Sequence, residues 1–260
     1  MTYEFITIER EARITTITLN RPEAMNALNN AIHWELHQAF DDFAADPDQW
    51  VAIVTGAGER AFCAGGDVKA YAREGRNKPL PPSGYAGLIL RENLDKPVIA
   101  AVNGVALGGG FEIALACDLI IASENARFGL PEPKVGLAAL AGGLQNLTRQ
   151  IPLKLAMGMI LTGRMVSAAE GASLGFVNEV VAHGDLMLVA RRWADEIASC
   201  SPLSIRASKH VAMASLGLPF AQAMVEAGNR EPLKKMLNSQ DVLEGPRAFA
   251  EKRAPQWLGR

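Results

Sequence analysis

The sequence runs to 260 residues, enough to bury a substantial core in one large α/β domain without a disulfide or metal staple. Its 26 lysines and arginines against 28 aspartates and glutamates leave a net charge of -2, so no broad basic field advertises nucleic acid or an anionic membrane as a partner. Cys63, Cys117 and Cys200 are odd in number and too far apart for a CxxC pair, which argues against a disulfide framework and for a reducing, cytoplasmic setting. The stretch Met1 to Arg10 carries acids and polar residues where a signal peptide needs an apolar run, and no uncharged apolar run reaches membrane-spanning length.

Along the chain, Phe5 to Leu19 alternates β-branched and other residues around a charged break at Glu9, Arg10 and Glu11, which predicts a hairpin. A helix follows from about Asn29 to Ala45, with Ile32, Leu36, Phe40 and Phe43 on one apolar face. Val51 to Thr55 and Val98 to Val102 read as strands buried on both faces. Glu74 to Gly84 holds Pro79, Pro81 and Pro82 and reads as a loop and candidate flap, with helix resuming near Tyr85. A short helix begins near Gly110, a strand covers Leu119 to Ala122, and a loop spans Gly129 to Gly136. From Gly142 onward the pattern is mostly helical, with one strand at Phe176 to Val181. The order predicts an α/β body with an α-helical tail, the tail packing on the body or on another subunit.

Three short patterns suggest chemistry and then lose their context. Val54-Thr55-Gly56-Ala57-Gly58 follows a strand as a dinucleotide fingerprint does, but Arg60-Ala61-Phe62 leads into another glycine loop instead of a helix. Gly171-Ala172-Ser173-Leu174-Gly175 matches a hydrolase nucleophile elbow in reverse order, helix before and strand after, and reads better as a helix C-cap. His33 and His37 stand one helical turn apart, but Trp34 occupies the place of a zincin's glutamate, so they read as a solvated helix flank.

Two glycine segments survive. Ala61-Phe62-Cys63-Ala64-Gly65-Gly66-Asp67 and Val105-Ala106-Leu107-Gly108-Gly109-Gly110-Phe111-Glu112 each follow a strand, and bare glycine backbones let N–H groups approach a developing oxyanion closely. Glu112 is a carboxylate in an apolar first helical turn, either a partner of the helix dipole or a buried catalytic group. Glu132, flanked by Pro131 and Pro133, is either held stiffly for proton transfer or part of an exposed turn.

Taken together, these segments resemble the enoyl-CoA hydratase/isomerase (crotonase) superfamily over nearly the whole chain. Asn20-Arg21-Pro22-Glu23-Ala24-Met25-Asn26-Ala27-Leu28 is similar to the family's first CoA-contacting loop, and the two glycine segments to its oxyanion-hole loops. Phe128-Gly129-Leu130-Pro131-Glu132 resembles the segment of the second catalytic carboxylate, and Leu161-Thr162-Gly163-Arg164 with Ala168 to Val181 a later landmark.

The resemblance implies a crotonase-like spiral of ββα units over residues 1–195 with a C-terminal helical region over 196–260, assembled as a homotrimer or a dimer of trimers. It implies oxyanion donors at the N–H groups of Gly66 and Gly109, with Glu112 and Glu132 as the catalytic carboxyls. Substrate and CoA contacts would come from Ala24, Met25, Ala64, Asp67, Val68, Lys69 and Leu140, and from Phe249 and Lys252 near the C-terminus. Coenzyme A would enter as part of the substrate, with no separate cofactor and no metal. The implied reaction is reversible hydration of a 2-enoyl-CoA thioester. An isomerase, or an acyl-CoA-binding scaffold without turnover, stands as the alternative. Relatives of the hydratase type show Pro-Gly where this chain has Ala139-Leu140, and Leu140 is expected to add bulk beside the acyl pocket. The dipole of its helix is expected to favour ionised Glu112.

Overall fold

Residues 3–74, 79–92 and 94–260 are described by a computed structural model of the chain. Residues 75–78 of the expected flap, and Met1 and Thr2 of the N-terminal stretch, lie outside the described residues. The alternating start forms the antiparallel pair β1 (Ile6–Glu11) and β2 (Ile14–Leu19). Helix α1 (Asn30–Ala45) opens where Asn29 Oδ1 accepts the Ile32 N–H at 3.0 Å, satisfying one donor that a helix start leaves unpaired. Its Ile32, Leu36, Phe40 and Phe43 are buried, as their spacing predicts.

The chain then repeats one excursion. Strand β3 (Val51–Gly56) is followed by the short β4 (Ala61–Cys63) and helix α2 (Val68–Glu74). Next come β5 (Val98–Val102), short β6 (Val105–Leu107) and α3 (Gly109–Ala116). A third pass gives β7 (Leu119–Ser123), short β8 (Arg127–Gly129) and a single 3-10 turn, Glu132–Val135. Helices α4 (Gly143–Gln150) and α5 (Leu153–Thr162), strand β9 (Met165–Ser167), helix α6 (Ala168–Leu174) and strand β10 (Glu179–Val181) complete the body. Helix α7 (Leu186–Ala198) backs the long strands, and α8 (Pro202–Ser215), α9 (Phe220–Ala227), α10 (Glu231–Leu237) and α11 (Asp241–Ala250) follow.

The long strands form one sheet in the order β1-β2-β3-β5-β7-β10, parallel from β2 onward. The short strands form a second sheet, β4-β6-β8-β9, whose first three members are parallel. Each excursion therefore gives one strand to each sheet, which is the ββα spiral in physical form.

Every residue of β3 is buried because both faces of the long sheet are covered. Ala52 and Val54 share a core with Phe62, Phe111 and Phe128, while Val51 and Ile53 face Leu186, Ala190 and Ala194 of α7. The rings of Phe111, Phe128 and Phe176 pack tilted or edge-on with centroids 5.1–5.3 Å apart, tying α3 to the short sheet. Truncating one such buried ring to alanine typically costs about 3–5 kcal/mol.

Some sequence expectations change. The helix near Tyr85 is a single 3-10 turn, Tyr85–Gly87, because Ala86 at φ 54 breaks helical geometry. The strand at Phe176 to Val181 shortens to β10, since Gly175 at φ 98 caps α6 and the N–H groups of Phe176 and Val177 go to the Gly171 carbonyl. Ser173 therefore belongs to that helix end, its hydroxyl donating to the Ala169 carbonyl. Among the described residues, no helix is long and apolar enough to cross a membrane.

Candidate active site

Strands β4, β6 and β8 are parallel neighbours, so their carboxyl ends lie on one edge and the loops that leave them meet there. The first loop carries Gly65 and Gly66, the second Gly108 and Gly109, the third Leu130 to Glu132. Close approach is enforced by missing side chains. A Cβ on Gly110 would overlap the Cys63 carbonyl oxygen, so α3 starts flush against the end of β4. Gly108, at φ 52, stands where a Cβ would come 2.8 Å from Glu132 Oε1.

Gly109 is the first residue of α3, and a helix start leaves such N–H groups without a partner inside the helix. Among the described residues, no backbone carbonyl takes up the N–H of Gly109 or of Gly66. Both glycines line one cavity of about 720 Å³, which also receives Glu112 and Glu132. Its wall is largely apolar, with Leu80, Ile89, Leu90, Val135 and Leu137, and Lys134 joins the two glutamates as a charged lining residue.

Glu112 is 3 % exposed, and its Oε1 accepts the Gly143 N–H at 2.9 Å. Burial raises its carboxyl to a pKa of about 7; the Gly143 and Ala141 N–H groups oppose this rise and the charge of Glu132 adds to it. The dipole expected to favour ionised Glu112 is outweighed by this burial, because a dipole offers typically about 0.3–1 kcal/mol and desolvation of a buried carboxylate costs several. Glu132 opens its 3-10 turn behind Pro131 and is partly buried. Its Oε2 is buried without a hydrogen-bond partner among the described residues, and burial raises its pKa as well, against the pull of its own backbone N–H.

Of the contacts that resemblance implied, Ala64, Val68 and Leu140 line the cavity. Leu140 is 81 % exposed, so its bulk stands at the mouth and not against the carboxyls; the buried neighbour is Ala139. Ala24, Met25 and Lys69 are not among the lining residues, although the Met25 carbonyl accepts the Ala64 N–H at 3.0 Å and so braces the first glycine loop. The Asp67 carboxylate is taken up by the fold instead, pairing with Arg21 at 3.1 Å and accepting the Ala70 N–H at 2.9 Å at the start of α2. Phe249, 87 % exposed, and Lys252 lie at the end of α11, outside the cavity lining.

His33 is not on a solvated flank. It is 1 % exposed, lines the cavity, and accepts the Ala86 N–H on Nδ1 at 3.0 Å. The helical spacing held a hint, since His33 follows Ile32 on the buried side of α1. Tyr85, also lining the cavity, carried no comparable signal within its proline- and glycine-rich surroundings.

Comparison with known proteins agrees with this architecture. The family model described as enoyl-CoA hydratase/isomerase matches residues 9–260. A carnitinyl-CoA dehydratase from Salmonella typhi is 44% identical over 260 residues, covering 99% of each chain. The crystal structure of an enoyl-CoA hydratase from Mycobacterium tuberculosis H37Rv superposes with a TM-score of 0.92 at 39% identity, covering 98% of this chain and 99% of that one. An enoyl-CoA hydratase from Mycobacterium marinum gives a TM-score of 0.93 at 41% identity over the same shares.

Proposed function

The chain belongs to the enoyl-CoA hydratase/isomerase family, and from that premise we propose that it adds water reversibly across the C2=C3 bond of a 2-enoyl-CoA thioester, as a carbon–oxygen lyase. The observation that carries this reading is the pair of desolvated carboxyls, Glu112 and Glu132, facing one cavity beside the N–H groups of Gly66 and Gly109. Those two N–H groups hold the thioester oxygen and stabilise the enolate that forms as charge moves off C2. Coenzyme A enters as part of the substrate.

Hydration needs one base and one acid, and two carboxyls facing one cavity supply them. In hydration, Glu112 takes a proton from the water that attacks C3 while Glu132 delivers one to C2. With Glu112 titrating near 7, both of its protonation states are populated at neutral pH. The protonated state suits the reverse reaction, in which Glu112 protonates the departing 3-hydroxyl and ionised Glu132 removes the C2 proton. A proton shift of the isomerase kind needs only one carboxyl, so two buried ones support the hydratase reading.

The acyl group is proposed to be uncharged. Leu80, Ile89, Leu90, Val135 and Leu137 offer it apolar contact. The 44% identical relative is named for carnitinyl-CoA, which makes that thioester the natural comparison. The experiment is a panel of 2-enoyl-CoA esters followed by loss of the enoyl thioester absorbance, run beside dehydration of carnitinyl-CoA. Turnover of uncharged esters supports the reading; turnover of carnitinyl-CoA alone overturns the acyl assignment, and turnover of none overturns hydration.

A further inference from the structure

The turn that carries Tyr85 is strained and heavily tied down. Gly84, Ala86 and Gly87 have φ of 76, 54 and 63°, and Ala86 adopts this without glycine's freedom, a conformation that costs on the order of 1–3 kcal/mol. Strain of this kind persists only where the surroundings over-determine it. Here much of that surrounding is α1. His33 Nδ1 accepts the Ala86 N–H at 3.0 Å, and a Cβ on Gly87 would overlap the backbone nitrogen of His37, so the turn lies directly on the helix. Arg91 spans the join, donating from Nε to the Gly87 carbonyl at 3.0 Å, from Nη2 to the His37 carbonyl at 3.0 Å and from Nη1 to Asp41 Oδ1 at 2.6 Å.

The clamp sets one side chain with care. The Tyr85 ring packs on the His33 ring, centroids 4.4 Å apart, and its hydroxyl lies so close over Gly109 that a Cβ there would overlap it. Gly109 is the residue whose N–H, at the start of α3, faces the thioester oxygen in the reading above. A phenylalanine would fill the same wall; the added hydroxyl puts a donor next to the oxyanion site. Burial lowers the His33 pKa to about 4, so its ring stays neutral and keeps Nδ1 as an acceptor at physiological pH.

We propose that Tyr85 is a further substrate-contacting residue of this site, its hydroxyl donating to the thioester oxygen beside the Gly109 N–H, and that His33 and Arg91 position it. The proposal rests on the hydratase reading, and its test separates the two. A cinnamoyl-CoA ester bound to the protein reports on donors at its carbonyl, because their polarisation moves its absorbance to longer wavelength.

The native protein should shift the band, and Tyr85→Phe should shift it less, with kcat on the best enoyl-CoA down about 10²-fold, near the lower end for losing one oxyanion donor. KM should stay within about twofold, as for an interaction made chiefly in the transition state. His33→Leu should reduce the shift in the same way, and His33→Asn, whose Oδ1 can stand where Nδ1 accepts the Ala86 N–H, should restore it. A native shift that Tyr85→Phe leaves intact overturns the role of Tyr85 alone. No shift in the native protein overturns the oxyanion site, and the Tyr85 donor with it.

Discussion

Glu112→Gln should make the protein more stable at alkaline pH while removing its activity. The folded-state carboxyl titrates at about 7 against 4.5 for a free one. At about 1.4 kcal/mol per pKa unit, that gap is worth about 3 kcal/mol. Since the folded pKa is raised, the native state holds the proton more tightly than the unfolded chain, so this contribution is fully present below pH 4.5 and is lost as pH rises through 7. Glutamine cannot ionise and keeps an oxygen to accept the Gly143 N–H. Relative to the native protein, the variant should therefore gain little near pH 4.5 and about 3 kcal/mol by pH 8. Denaturant unfolding at a series of pH values reads the difference directly, with the m-value checking that the unfolded state is unchanged. Activity on the best enoyl-CoA should fall by about 10²–10⁴, the usual worth of a positioned acid–base group. A stability difference that is flat from pH 5 to 8 would refute the claim that Glu112 is held in the site at the fold's expense.

Glu132→Gln should likewise lower kcat by about 10²-fold or more while CoA-ester affinity changes by a few-fold at most, read by steady-state kinetics and by binding of an unreactive thioester. Gly108→Ala places a Cβ 2.8 Å from Glu132 Oε1 at a φ of 52°, so both a loss of about 1–3 kcal/mol in thermal unfolding and a marked fall in kcat are expected. Light scattering should show an oligomer, because Phe220, Val225, Leu243 and Phe249 are each more than 70 % exposed on α9 and α11 of the single chain. A monomer at micromolar concentration counts against assembly through these helices.

What was legible in the sequence followed the length of the signal. Val51 to Thr55 and Val98 to Val102 are apolar runs long enough to declare a doubly covered strand, and the spacing from Ile32 to Phe43 is enough for a helix face. Strands β4, β6, β8 and β9 have three residues each, too few to display a period, and the whole second sheet was therefore invisible. The glycines beyond β4 and β6 still marked the site, since a backbone approach as close as that of Gly110 to Cys63 permits no side chain. The burial that outweighs the dipole at Glu112 was hidden for a different reason. Its helix position was visible, but the N–H groups it meets belong to Ala141 and Gly143, about thirty positions further along. His33 and Tyr85 meet only because a strained turn lies on α1, a contact across some fifty residues that neither local pattern encodes.

The short sheet also acts as a ruler. Val105 pairs with Ala61 on one side and with Arg127 on the other, and these two ladders set how far each loop reaches beyond the common edge. A slip of one residue in either ladder displaces its loop by about 3.3 Å along the strand. That is more than a hydrogen bond tolerates, so a misregistered chain would carry every required residue and still present its donors and carboxyls at the wrong heights. Catalytic alignment is thus a metrological property of two short pairings, one of two residue pairs with an irregularity and one of three, and it is their fidelity during folding that separates an active molecule from an inert one of the same composition.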